Sequence, residues 1–202
     1  MSIENNKLLS VISELWSEAE GKSVVKVSGI SMQPLLLGGE SIVVDHKVRD
    51  LKFGDIGVFN KDGVMIVHRV LRRKRVSEKI IYRTKGDWLL YMDGPFESSA
   101  VMGKVTFMTR LGKRFNLNHV GSKNYSRMMA LCSLIVAFFG KLFHLMDRCM
   151  FFFARGRDHR KRNDQNRFFI KIFLHVYRFH QRVFHGIFFY LFHRIDKKED
   201  SF

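Results

Sequence analysis

Two cysteines and two prolines are all that the 202 residues contain. Cys132 and Cys149 are too few and too badly spaced for a disulfide framework or a zinc site, so they leave the redox compartment open. With 27% charged residues and so little proline, the chain does not have the composition of a disordered tail. Acids are scarce as well, 19 Asp and Glu against 35 Lys and Arg, a net charge of +16. That balance calls for an anionic partner: nucleic acid, a membrane face or an acidic substrate. Residues 1–30 hold no apolar run near the ~20 residues of a spanning helix, and no basic segment precedes a hydrophobic one. Neither an N-terminal span nor a signal peptide is expected, and no metal or cofactor is expected.

What is present is unevenly spread. Residues 1–20 carry one Lys and four Glu, whereas residues 155–202 carry twelve Lys and Arg, five acids and five His. Fourteen of the twenty Phe lie between Phe138 and Phe192. Three regions follow. Residues 1–22 read as a short amphipathic helix, with Leu8, Ile12, Leu15 and Trp16 on one side. Residues 23–117 have ordinary globular composition. Residues 124–195 form a Phe-, Arg- and His-rich helical appendage, joined through the polar stretch 116–123.

The middle region reads as β-structure. Short β-branched runs occur at Val24–Val27, Ser41–Asp45, Asp55–Phe59, Val64–Val70, Lys79–Thr84 and Val101–Met108. Asp62-Gly63 between two of them is a hairpin signal. Short strands with Gly- and Asp-rich turns and no helix between them predict a mainly β, antiparallel, barrel-like domain.

Chemistry starts from Ser31, which follows a strand and is flanked by Gly29 and Pro34. A serine hydroxyl needs an adjacent base to attack an acyl carbon. The domain offers His46, in a turn beside Asp45, and His68, inside an apolar strand. On composition alone, neither His is distinguished from a structural one.

Read together, the segments form an ordered series. Ser31-Met32-Gln33-Pro34 is followed by Gly54-Asp55-Ile56-Gly57-Val58-Phe59, then His68-Arg69-Val70, then Thr84-Lys85-Gly86-Asp87 with Asp93, then Met102-Gly103-Lys104-Val105. This series resembles the signal peptidase I family of membrane serine peptidases, relatives of the SOS-repressor autoproteases. His-Arg-Val resembles the archaeal and endoplasmic-reticulum branch, whose base is His rather than Lys.

The resemblance implies roles. Ser31 would be the nucleophile, His68 the general base and then acid, and Asp93 the group that orients the imidazole. Asp87 would be structural or would hold the site by hydrogen bonds, and which Asp does which stays open. The Ser31 main-chain N–H would donate to the oxyanion. Met32 and Pro34 would shape the turn and the substrate cleft. Arg69 and Lys85 are expected to be solvated or structural. The sequence also departs from the family. Gly29 stands where many members have a second Ser. Gly38-Gly39-Glu40 replaces the usual Gly-Gly-Asp, and Trp88-Leu89 replaces a pair of Asn. The membrane span that usually precedes the nucleophile is not seen in residues 1–30.

The appendage speaks for membranes. Residues 128–140 are uncharged, and extended to Met146 they could span if Lys141 and His144 were tolerated. Basic residues flank both ends, so orientation is not fixed. In 168–193, Phe169, Ile172, Phe173, Val176, Val183, Phe184, Ile187, Phe188 and Leu191 recur at helical spacing. Lys171, His175, Arg178, Arg182 and His185 lie opposite. This is the pattern of a helix in the interface of an anionic membrane, with packing onto the body or self-association as the alternative. No DNA-binding motif is present and no nucleic-acid partner is expected.

The sequence therefore predicts a membrane-associated serine endopeptidase that removes a leader or signal segment from a precursor peptide. A self-cleaving regulator or a non-catalytic peptide-binding module on the same fold is the alternative.

Overall fold

A computed structural model describes residues 21–153, 175–179, 182–183 and 186–187. The expected N-terminal helix thus lies outside the described residues except for its last two positions. Of these, Gly21 is in a bend and Lys22 begins the first strand.

Eight strands form one sheet: β1 (Lys22–Lys26), β2 (Ser41–Asp45), β3 (Ile56–Lys61), β4 (Val64–Val76), β5 (Lys79–Lys85), β6 (Pro95–Glu97), β7 (Val101–Arg110) and β8 (Lys113–Asn116). The order is β1-β2-β7-β3-β4-β5-β6, with β8 paired to β7. Every pairing is antiparallel. The sheet curls as an open half-barrel, so the mainly β reading holds. One helix, α1 (Val120–Phe153), follows it.

Side-chain alternation explains the strands. In β2, Ile42 and Val44 point inward between less buried neighbours. Central strand β3 is buried on both faces from Ile56 to Phe59. The β3–β4 turn places Asp62 and Gly63 at φ of 53° and 83°, the paired positive values of a two-residue hairpin whose twist suits its strands. Two features were not read from the sequence. β4 runs on to Val76 through Arg72–Arg75, because β5 pairs it along that length. β6 and β8 are three and four residues long, too short to show a period.

Leu51, Phe59, Val70, Tyr82, Phe96 and Val101 form a core cluster. The Phe59 ring lies 5.1 Å from Phe96 and edge-on to Tyr82 at 6.3 Å. The Tyr82 hydroxyl accepts from Leu51 N–H at 3.2 Å and donates to the Arg49 carbonyl at 3.3 Å, so its polar end is satisfied.

The chain divides into two compact units, one reaching Ser133 and the other beginning at Leu134. The first turns of α1 therefore belong with the sheet. By length and composition, Val120–Leu142 is apolar enough to cross a membrane. In the second unit, the basic run after Arg155 and most of 168–193 lie outside the described residues. Within that stretch 175–179, 182–183 and 186–187 are helical, and Val176, Phe179, Val183 and Ile187 are exposed.

Phe59 is fully buried at the centre of the aromatic cluster. Phe59→Ala should lower unfolding stability by about 3–5 kcal/mol, checked by thermal and urea melts of the full chain.

Candidate active site

Three segments distant in sequence converge. Ser31 opens the turn after β1, His68 lies in β4, and Asp93 sits in the loop between β5 and β6. His68 Nε2 is 3.0 Å from Ser31 Oγ, and His68 Nδ1 is 2.5 Å from Asp93 Oδ2. A carboxylate only accepts, so Nδ1 carries the proton given to Asp93. Nε2 is left with a lone pair for the Ser31 hydroxyl. This proton order lets the imidazole take a proton from serine.

Each member is held by its own element. The Ser31 turn is fastened by Gln33 N–H to Ile30 O at 3.1 Å and Leu36 N–H to Met32 O at 3.0 Å. Arg110 clamps the turn from outside, donating to the Leu35 carbonyl at 2.6 Å and to Glu40 at 2.6 Å. Glu40 in turn accepts from the N–H groups of Leu37 and Gly38. Met32, Leu35 and Leu36 are buried beneath. Pro34, also buried, follows a cis peptide bond. Gly29 is exposed, and a Cβ there would touch nothing.

Asp93 receives a second hydrogen bond from Thr84 Oγ1 at 2.8 Å, and Lys61 Nζ lies 3.8 Å from its other oxygen. Burial alone would raise its carboxyl. The hydrogen bond and charge of His68, helped by Thr84 and Lys61, outweigh that and hold it below the ordinary carboxylate value.

The strand end Thr84–Asp87 presses against the pair. A Cβ on Gly86 would come within 2.6 Å of the Ser31 carbonyl oxygen, 2.9 Å of Ser31 Cβ and 3.0 Å of His68 Nε2. Only glycine leaves room for that contact. Trp88 N–H donates to the Ser31 carbonyl at 2.9 Å.

Asp87 is placed differently from Asp93. It takes two hydrogen bonds from Arg69, at 2.8 and 2.6 Å, with both side chains fully buried. Arg69 and Lys85 are therefore structural and not solvated. Lys85 is pushed down to about 8 by its burial, with Arg69 adding to the shift and Asp87 and Asp93 opposing it. Thr84 stood in the fourth segment of the series without a role, and Lys61 and the Trp88 N–H escaped the sequence reading, since neither carries a local signal.

His46 is also buried. It bonds Ser23 Oγ and the Met102 carbonyl, both at 2.7 Å, on the far side of the sheet order from β4.

Asp93 makes a pH-sensitive contribution. A carboxyl held below its unfolded value adds stability that is present above roughly pH 4 and lost as pH falls through the folded value. Wild type should melt above Asp93→Asn at neutral pH, and the two melting temperatures should converge below about pH 4. Parallel pH profiles would show Asp93 unengaged.

A peptidase S24-like family model matches residues 2–80. The chain is similar to the signal peptidase complex catalytic subunit SEC11 of Candida albicans, at 42% identity over 83 residues, 40% of this chain and 47% of that one. The Yarrowia lipolytica subunit is 36% identical over 73 residues, 35% of this chain and 42% of that one. The chain thus spans about half the length of the relatives it matches. Sheet, box order and sequence identity together make this chain similar, over about two fifths of its length, to a peptidase S24-like domain and to signal peptidase catalytic subunits.

Proposed function

We propose that the protein is a membrane-associated serine endopeptidase that removes a leader or signal segment from a precursor peptide. The observation that carries this reading is the hydrogen-bonded series Ser31–His68–Asp93. The similarity to catalytic subunits of a signal peptidase complex supports the substrate class.

The reaction would run as acyl transfer. Ser31 Oγ bonds to the scissile carbonyl carbon while its proton passes to His68 Nε2. The tetrahedral oxyanion is met by the Ser31 main-chain N–H, a kind of donor worth about 10²–10³ in rate. The C–N bond then breaks as His68 returns the proton to the leaving amine. Water, deprotonated by His68, releases the acyl group and restores Ser31. Asp93 keeps its charge throughout and steadies the imidazolium. Asp87 would support the site through Arg69, and Met32 and Pro34 by shaping the cleft. An anionic lipid surface is the proposed second partner, met by the apolar and basic faces of the appendage.

The test uses the full chain in detergent micelles with a fluorogenic peptide carrying a secretory signal sequence and its small-residue cleavage site. Ser31→Ala and His68→Ala should each lower kcat by roughly 10³–10⁶, and the double variant should be no worse. Near wild-type turnover by either single variant would sink the assignment. Gly86→Ala should lose activity on a comparable scale, since the added methyl has no place except by parting Ser31 from His68. Full turnover by that variant would show that the contact is not needed.

A further inference from the structure

Residues 120–133 of α1 lie in the same compact unit as the Ser31–His68 contact. Their inward face is mostly small: Ser122, Ala130 and Ser133 are buried and Ser126 half-buried, beside Tyr125 and Met129. Small side chains allow close approach. A Cβ on Gly54 would fall 3.2 Å from both Cα and N of Arg127.

Two of this face's hydroxyls, on Ser126 and Ser133, are seven residues apart and so on one side of the helix. Arg69 Nη1 donates to Ser126 Oγ and, at 3.3 Å, to the Ser126 carbonyl. Lys85 Nζ donates to Ser133 Oγ at 3.4 Å. These two cations are not remote from the chemistry. Arg69 is the residue after His68 and grips Asp87. Lys85 is the residue before Gly86, where a Cβ would crowd Ser31 and His68. The helix therefore reaches the base from one side and the nucleophile's packing partner from the other.

We propose that Ser126 and Ser133 make the first turns of α1 a positioning element of the proposed peptidase centre, fixing Arg69 and Lys85 and through them the His68 strand and the Thr84–Trp88 segment. This rests on the peptidase reading for its kinetic consequence, though not for its structural one. A guanidinium has five N–H donors in a rigid fork. Asp87, the Gly54 carbonyl, and the carbonyl and hydroxyl of Ser126 are acceptors around that fork. Removing that hydroxyl takes away one acceptor of the buried Nη1 and leaves it the Gly54 and Ser126 carbonyls at 3.2 and 3.3 Å, and the resettling of the guanidinium is shared with Asp87 and the adjoining His68. Misplacement on the scale of 1 Å at such a centre can cost about 10²-fold in rate.

The experiment compares wild type, Ser126→Ala, Ser133→Ala, the double Ala variant and Ser126→Thr, all as full chains in micelles. Leu131→Ala, on the exposed face, is the control. Melting temperature, kcat and KM on the signal-sequence peptide, and the NMR titration curve of the His68 ring are read for each. The double Ala variant should lose about 10–100-fold in kcat with KM nearly unchanged, and its His68 titration curve should move. Ser126→Thr, which keeps the hydroxyl, should stay near wild type, as should Leu131→Ala. If the double variant does not stay folded, the single Ala variants decide by the same readings. Wild-type kcat with an unmoved His68 curve overturns the proposal. If wild type does not cleave the peptide, the peptidase reading fails, and the His68 curve alone decides whether α1 positions this centre.

Discussion

Arg69 and Lys85 carry two positive charges into the interior behind the Ser31–His68 contact, where water reaches neither. Removing an ion from water costs several kcal/mol even after relaxation, and only well-aimed partners offset it. Every nearby polar group is arranged around that demand. Asp87 gives Arg69 both carboxylate oxygens, Gly54 and Ser126 give carbonyls, and α1 adds two hydroxyls. A planar guanidinium needs its acceptors in one plane, so satisfying it fixes three chain segments relative to one another. Those segments include the strand bearing His68 and the loop that packs on Ser31. The rigidity of the site is thus a consequence of burying charge beside it.

The same constraint separates the two aspartates. Asp87 turns both carboxylate oxygens to Arg69. Asp93 lies on a loop, receives Thr84 and His68, and keeps Lys61 near its second oxygen. A carboxylate so furnished stays charged at neutral pH, which a partner for a forming imidazolium requires. One acid thus meets the buried Arg69 while the other meets His68.

How much of this was legible in the sequence depends on the range of each interaction. Strands such as Ser41–Asp45 showed themselves by alternation, and the Asp62-Gly63 hairpin by its turn residues, because both are local. The grouping of Ser31, His68 and Asp93 came only from the order of the boxes. Nothing in the vicinity of Asp87 or Asp93 says which will meet His68, 25 positions before Asp93 and 37 after Ser31. The extension of β4 through Arg72–Arg75 was hidden because charged residues carry no apolar period, and cross-strand pairing with β5 decides it. Arg69 and Lys85 read equally well as solvated or structural, since their partners include Ser126 and Ser133, 57 and 48 positions away.

Helix α1 shows how hydropathy alone can merge two environments. Along its first turns Tyr125, Met129 and Ala130 face inward and Lys123, Asn124 and Arg127 are exposed, an amphipathic pattern. From Leu131 the exposed residues change character: Leu131, Ile135, Phe138, Phe139, Leu142 and Leu145 all face outward. Averaged over Val120–Leu142, the two halves give the hydropathy of a membrane span. Taken separately, the outward apolar stripe covers fourteen residue steps from 131 to 145, or about 21 Å at 1.5 Å per residue. The hydrocarbon core is ~30 Å thick. Extending the stripe to that length brings in Asp147 and Arg148, whose burial in lipid is costly. A helix lying against a membrane along one face needs only the stripe, and keeps the turns carrying Ser126 and Ser133 free to serve the peptidase fold.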